Sequence, residues 1–68
     1  MARIDEKVGR NIRALRLRSG RSQLEVADAA GVSVSYISML ERGLRSAPLP
    51  TLASLGRALR IDPVRLLR

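Results

Sequence analysis

The sequence contains neither cysteine nor histidine, and these two absences exclude most of the common catalytic and metal-binding chemistries. Without cysteine there is no disulfide framework and no thiolate zinc site. Without histidine there is no imidazole to shuttle protons or to activate a nucleophile. The glycines are scattered rather than gathered in a phosphate-binding loop. We therefore expect a protein that is not an enzyme and that carries no cofactor or metal.

Aromatic residues are almost absent, since Tyr36 stands alone without any Phe or Trp. In a chain of 68 residues the core must then be built from Leu, Ile, Val and Ala, and it suffices for one small domain over residues 1–68. No segment approaches the roughly 20 apolar residues of a membrane span, and the start lacks the apolar block of a secretory signal. We expect a cytoplasmic protein with no membrane partner.

Arginine is what the sequence has in excess. Thirteen Lys and Arg residues oppose six Asp and Glu residues, for a net charge of +7. This balance favours a polyanionic partner, and the alternative is a merely solvated arginine-rich surface. The basic residues lie within 3–21 and 42–68, and none lies between Ser22 and Glu41. The positive charge therefore flanks a neutral to acidic centre.

Apolar spacing and capping residues predict the first three helices. Ile4, Val8, Ile12 and Leu15 fall on one helical stripe, and this helix should end at Ser19-Gly20. The segment 22–25, Ser-Gln-Leu-Glu, fits a capping box at the start of a second helix, which Gly31 ends. Ser33 is suited to cap a third helix, which carries Tyr36, Ile37 and Leu40 before Gly43 stops it.

The remaining residues predict a loop and two more helices. Segment 44–50 contains two prolines and should be a loop. Leucines spaced three and four apart predict an amphipathic fourth helix: Leu52, Leu55 and Leu59. Asp62-Pro63 is a cap followed by a first-turn proline, so we expect a short fifth helix that buries Val64 and Leu67. The predicted fold class is all-α, a compact five-helix domain.

The second and third helices, about residues 22–43, have the properties of a DNA reader. Ala27 and Gly31 are small enough for two helices to meet closely at a tight turn. In the third helix Ile37 and Leu40 point to one side. The outward side is small and partly polar, as suits a helix entering a major groove about 12 Å wide; it comprises Val34, Ser35, Ser38, Met39 and Arg42. The Ser22-Gln23 helix start offers free amides that can hold a phosphate.

At these residues the chain resembles the lambda-repressor-like, or xenobiotic-response-element type, helix-turn-helix family of bacterial and phage regulators. The resemblance runs from about Val8 to Leu67. Its matching motifs are Ile12-Arg13-Ala14-Leu15-Arg16, Ser22-Gln23 with Val26-Ala27, Ala30-Gly31-Val32-Ser33, Tyr36-Ile37-Ser38, Leu40-Glu41-Arg42-Gly43, Leu52, Leu55 and Ala58-Leu59. The resemblance implies that the helix-turn-helix is formed by helices two and three.

The resemblance also implies residue roles. Residues that would touch base edges are Val34, Ser35, Ser38 and Met39. Residues that would contact the DNA backbone are Ser22, Gln23, Arg42 and Arg45, with Gln23 beside the start of the third helix. Arg16 and Glu41 would form a buried structural ion pair that ties the first helix to the end of the third.

These expectations together describe a transcriptional regulator, preferentially a repressor, that binds a palindromic double-stranded DNA operator as a homodimer. So small a core shows no pocket for an effector. The alternative is a protein-interaction module of the same fold, similar to an antitoxin or a coactivator, which exposed leucines at Leu24, Leu44 and Leu49 would favour. Leu24 also departs from the family pattern, which usually has an exposed polar residue there. Each of these leucines is explained either by local packing or by a contact with a second subunit. Another departure from the family pattern is Gly56, which stands inside the fourth helix at a cost of about 1 kcal/mol in helix propensity.

Overall fold

Four α-helices and one 3₁₀ turn follow one another along residues 3–68, the part of the chain that the computed structural model describes. The helices are α1 (Arg3–Arg18), α2 (Gln23–Ala30), α3 (Val34–Glu41) and α4 (Leu49–Leu59), and the 3₁₀ turn is Pro63–Leu66. The prediction of an all-helical fold is confirmed for these residues. The count of five helices is wrong, because the backbone hydrogen bonds of the last element join residues three apart and form a 3₁₀ turn.

The final element differs from its prediction in both geometry and burial. The Asp62 side chain accepts from the Val64 N–H as expected of a cap, at 3.0 Å. The backbone bonds that follow join residues three apart, from Arg65 N to the Asp62 carbonyl and from Leu67 N to the Val64 carbonyl. This tighter winding turns Leu66 into the core, whereas Val64 and Leu67 are each 49% exposed. The predicted burial of those two residues is wrong.

The buried stripe of α1 is rotated relative to the predicted one. Val8 and Ile12 are buried as expected, but Ile4 is 73% exposed and Leu15 is only half-buried. The cause is the close approach of α3, which packs along the flank of α1 that carries Gly9 and Arg16. The side of α1 that faces the core therefore includes an arginine, which no apolar pattern reveals.

Every helix contributes to one core. α2 packs against both α3 and α4, α1 packs against α3, and the 3₁₀ turn closes the end between α4 and α1. The buried apolar residues are Val8, Ile12, Val26, Ala27, Ile37, Leu40, Leu52, Leu55, Ala58, Leu59 and Leu66. None of the helices described over residues 3–68 has both the length and the hydrophobicity needed to cross a lipid bilayer.

Gly56 has a packing reason that outweighs its poor helix propensity. A Cβ at this position would lie 2.7 Å from Pro63 Cγ and 3.0 Å from the Ile61 carbonyl oxygen. The chain turns back after α4 through Arg60, which adopts a left-handed conformation with φ of 58°. Gly56 allows the 3₁₀ turn to fold directly onto α4.

Candidate nucleic-acid interface

The pair of helices α2 and α3 is built by short-range capping. The Ser22 hydroxyl accepts from the Glu25 N–H at 3.0 Å, and the Glu25 carboxylate accepts from the Ser22 N–H at 2.8 Å, which completes the capping box. Gly31 ends α2 with φ of 73°, and the Ser33 hydroxyl caps α3 by accepting from the Tyr36 N–H at 3.0 Å. Only residues 31–33 separate the helices, so their relative orientation is fixed by the turn and by the shared core.

α3 has one buried and one accessible side. Ile37 and Leu40 are buried and anchor the helix to the core. The four residues predicted to touch base edges lie away from that anchor: Val34 and Ser35 are exposed, and Ser38 and Met39 are half-buried. The accessible side is small, and it offers two hydroxyls and two apolar side chains. It can therefore approach a nucleic-acid groove closely, with hydroxyls for base edges and apolar atoms for thymine methyls.

Ser22 and Gln23, the two residues predicted to hold a phosphate at the start of α2, make different hydrogen bonds. The Ser22 hydroxyl is engaged in the cap of its own helix. Gln23 is half-buried, and its Nε2 donates to Glu41 Oε1 at 3.1 Å. Sequence reasoning missed this contact, because Gln23 and Glu41 stand 18 positions apart and belong to different helices. The amide of Gln23 is therefore tied to the end of α3 and does not move freely in solvent.

Arg42 and Arg45 lie at the other end of α3, where the chain leaves the helix. Both side chains are exposed. The Arg45 guanidinium carbon lies 5.9 Å from the centre of the Tyr36 ring, a cation–π geometry that restricts its motion. The structure thus brings two arginines next to the accessible side of α3, although the helix itself contains no basic residue.

Arg16 and Glu41 form a buried ion pair between α1 and the end of α3. Arg16 Nε donates to Glu41 Oε2 at 2.6 Å, and Arg16 Nη2 donates to Glu41 Oε1 at 3.1 Å. The hydrogen bonds to Glu41 raise the pKa of Arg16 above its ordinary value, and burial opposes them only in part. Arg16 Nη1 also donates to the Arg21 carbonyl at 3.0 Å. The pair therefore fixes α3 to α1 and to the turn before α2.

The segment after α3 is held by contacts that sequence reasoning also missed. The Tyr36 hydroxyl donates to the Ser46 carbonyl at 3.4 Å, and the Ser46 hydroxyl donates to Asp5 Oδ2 at 2.9 Å. Gly43 lies so close to α1 that a Cβ there would sit 2.9 Å from the Glu6 Cα. Residues 43–46 are thereby held against α1. Tyr36, the one aromatic residue of the sequence, was the only sequence signal for these contacts. The spacing of residues does not show which partners Tyr36 has.

The capping box makes a pH-dependent contribution to stability. The hydrogen bond from the Ser22 backbone N–H lowers the pKa of Glu25 below its ordinary value. A carboxylate with a lowered pKa in the folded state stabilises the protein above the unfolded-state pKa, and this contribution is lost as pH falls through the folded-state pKa. Glu25→Gln is therefore expected to lower the melting temperature near pH 6, with a deficit that shrinks between about pH 5 and pH 3.

Thermal unfolding followed by circular dichroism from pH 6 to pH 3 measures that deficit. Asp28→Asn is the matched control, because it removes an exposed carboxylate from the same helix and leaves the capping box intact. A deficit for Glu25→Gln that stays constant over this pH range would contradict the assignment.

A net charge of +7 and a short helix that exposes a small, partly polar side are typical of DNA-binding domains, and the residues that the structure describes are helical throughout their regular elements. The helix-turn-helix family model HTH_3 matches residues 12–66. The chain is 42% identical over 59 residues to the uncharacterized HTH-type transcriptional regulator y4dJ of Sinorhizobium fredii, a match that covers 87% of this chain and 77% of that protein.

Two solved structures extend the comparison to three dimensions. The restriction-modification controller protein C.AhdI of Aeromonas hydrophila superposes with a TM-score of 0.89 and 37% identity, over 91% of this chain and 94% of that one. The clp gene regulator ClgR of Corynebacterium glutamicum superposes with a TM-score of 0.90 and 34% identity, over 94% of this chain and 83% of that one. The chain belongs to the HTH_3 helix-turn-helix family. It is a DNA-binding transcription regulator and not an enzyme.

Proposed function

We propose that α2, the turn 31–33 and α3 are the helix-turn-helix, and that α3 enters the major groove of an operator. The observation that carries the proposal is the position of the four predicted base-contacting residues. Val34, Ser35, Ser38 and Met39 are exposed or half-buried, whereas the anchors Ile37 and Leu40 of the same helix are buried. In this arrangement residues 1–68 act as one DNA-binding domain with its reader at about residues 22–43. We assign this DNA-binding domain to the cytoplasm.

Backbone contacts are assigned to both ends of this unit. Ser22 and Gln23 stand at the start of α2, where the helix dipole and the backbone amides outside the capping box, those of Gln23 and Leu24, favour an anion. Arg42 and Arg45 stand beyond the end of α3 and are exposed. Phosphate contacts at both ends would set the register of α3 in the groove, and the side chains between them would read bases.

The proposed assembly is a homodimer on a palindromic operator, acting as a repressor by occupying it. The described residues extend 29 Å along their longest axis. One copy therefore covers less than the roughly 34 Å that separates equivalent half-sites on one face of B-DNA, and two copies fit side by side at that spacing. Two arginine contacts per copy, Arg42 and Arg45, predict a slope of about −4 for log K against log salt concentration.

Fluorescence polarisation with a panel of genomic duplexes at physiological salt tests the proposal. We expect one palindromic fragment to bind at least about a thousandfold more tightly than the others, the usual margin of specific over non-specific binding. Sedimentation of the complex should give two chains per duplex. Equal affinity for every fragment would refute sequence-specific recognition.

A protein-interaction module is the second candidate function. The observation in its favour is the exposure of three leucines in the structure: Leu24, Leu44 and Leu49. Phosphate contacts release counterions and make DNA affinity fall with salt, whereas a module that holds another protein through apolar contacts does not depend on them. A salt slope near zero would favour the module over the regulator.

Substitutions within the interface should separate reading from positioning. Ser38→Ala and Met39→Ala are expected to change which base is preferred at one or two operator positions, with discrimination altered by about 1 kcal/mol, the size of one neutral hydrogen bond or one small apolar contact. Gln23→Ala is expected to weaken binding to all sequences alike, because a phosphate contact carries no base information. A systematic set of single-base operator variants measures both effects. A changed base preference in Gln23→Ala would contradict this division.

A further inference from the structure

The carboxylate of Glu41 has two partners, and only one of them is explained by the ion pair. Its Oε2 accepts from Arg16 Nε at 2.6 Å. Its Oε1 accepts from Arg16 Nη2 and also from Gln23 Nε2, each at 3.1 Å. A bidentate pair with arginine would be complete without glutamine. The additional contact joins the end of α3 to the first residue of α2.

This contact determines how the Gln23 amide is presented. An amide nitrogen has two hydrogens, and Glu41 accepts one of them, which leaves the second N–H to donate to another acceptor. Gln23 is half-buried, so part of the residue remains accessible to solvent. A free glutamine rotates among many side-chain conformers, and holding it in one of them removes part of the entropy cost of binding.

We propose that Glu41 is a positioning residue for DNA binding: it fixes the Gln23 amide so that the remaining Nε2–H donates to a phosphate of the operator. This inference rests on the proposed function and adds a second role to a residue that otherwise serves the fold. Gln23 touches the DNA, and Glu41 acts through it.

The charge balance around Glu41 is compatible with a phosphate nearby. The carboxylate is buried, and Arg16 neutralises it through two hydrogen bonds. Arg16 is itself held by the Arg21 carbonyl, and the Arg21 guanidinium donates to the Ala58 carbonyl near the end of α4. The capping-box carboxylate of Glu25 lies near Arg21, so the two arginines balance the two carboxylates Glu41 and Glu25. A phosphate beside Gln23 would meet an oriented donor and no uncompensated anion.

A purely structural role and a positioning role of Glu41 predict different effects on DNA affinity when its negative charge is removed. If Glu41 only supported the fold, removing its negative charge would leave the phosphate contact of Gln23 intact and would raise DNA affinity by electrostatics alone. If Glu41 positions Gln23, the same change removes the benefit that Gln23 provides. In Glu41→Gln a single oxygen has to replace two carboxylate oxygens that now accept from three donors, and the charged guanidinium donors of Arg16 compete with Gln23 for it.

A double-mutant cycle between Gln23→Ala and Glu41→Gln tests the inference through operator affinity at fixed salt. In the native background we expect Gln23→Ala to weaken binding about tenfold, the effect of losing one hydrogen bond to a charged group. In the Glu41→Gln background the same substitution should weaken binding by less than about twofold. Arg45→Ala is the control, because Arg45 stacks on Tyr36 and makes no hydrogen bond to Glu41 in the described residues, so its effect should be equal in both backgrounds.

Each outcome separates the inference from the proposed function. Equal effects of Gln23→Ala in both backgrounds would overturn the positioning role and leave the phosphate contact standing. No effect of Gln23→Ala in the native background would overturn both the positioning role of Glu41 and the phosphate contact of Gln23. If the native chain showed no specific binding to any duplex, the proposed function itself would be refuted.

Two further measurements cover the case in which Glu41→Gln fails to fold. The double replacement of Arg16 and Glu41 by methionine removes the acceptor and leaves an apolar pair, which commonly preserves folding; Gln23→Ala should again have less than about a twofold effect. In the native free protein, NMR should show one Gln23 side-chain amide proton that exchanges slowly with solvent. Two fast-exchanging protons on a rotating side chain would overturn the inference.

Discussion

Arg16→Ala is expected to lower the free energy of unfolding by about 3–5 kcal/mol, a loss as large as that from truncating a fully buried leucine or isoleucine. The substitution leaves the Glu41 carboxylate buried without its two guanidinium donors, and Gln23 alone cannot replace them. A domain of this length has a total stability of about 3–10 kcal/mol. The variant should therefore lose a large part of its total stability, which urea or thermal unfolding monitored by circular dichroism measures directly.

Two variants test whether this loss of stability comes from the buried, unpaired charge of Glu41 or merely from the removal of an arginine. Arg13→Ala removes an exposed arginine from the same helix and should change stability by less than about 0.5 kcal/mol. The double methionine replacement of Arg16 and Glu41 should recover most of the stability lost in Arg16→Ala, because two apolar side chains need no compensating charge. A loss below about 1 kcal/mol for Arg16→Ala would show that the pair is solvated in solution.

The elements that sequence reasoning located correctly are those whose signals are local. The capping box of Ser22 and Glu25, the cap at Ser33 and the break at Gly31 each involve residues within a few positions of one another, and the structure contains all three. These signals fix the bounds of α2 and α3. The accessible side of α3 then follows from helical periodicity once Ile37 and Leu40 are assigned to the core.

The predictions that failed depend on which neighbour a helix meets. Ile4 continues the apolar spacing of α1 but lies beyond the region that α3 covers, so it stays exposed. Leu66 is buried in place of Val64 and Leu67 because the chain winds more tightly there than an α-helical period predicts. The contact of Gln23 with Glu41 likewise joins residues that only the packing of three helices brings together. The spacing of residues along one helix does not show which residues of other helices it contacts.

Gly9 is the clearest case of a residue whose importance the sequence conceals. It lies inside α1, where alanine would ordinarily be more favourable by about 0.5–1 kcal/mol. A Cβ at this position would overlap the Leu40 carbonyl oxygen and lie 2.9 Å from the Glu41 carbonyl oxygen. Both atoms belong to the backbone of α3 and its end, so neither can move aside as a flexible side chain would. α1 and α3 touch here because no side chain separates them.

Gly9→Ala is therefore expected to destabilise the protein by about 1–3 kcal/mol in spite of the better helix propensity of alanine. Moving α3 away from α1 also stretches the hydrogen bonds between Arg16 and Glu41, which lie along the same contact. Denaturant unfolding measures the loss, and Arg10→Ala, at the exposed neighbouring position, should stay within about 0.5 kcal/mol of the native chain. An increase in stability for Gly9→Ala would mean that the two helices are further apart in solution than the structure places them. In that event the geometry that joins Arg16, Glu41 and Gln23 would need revision as well, since all three depend on the same close approach.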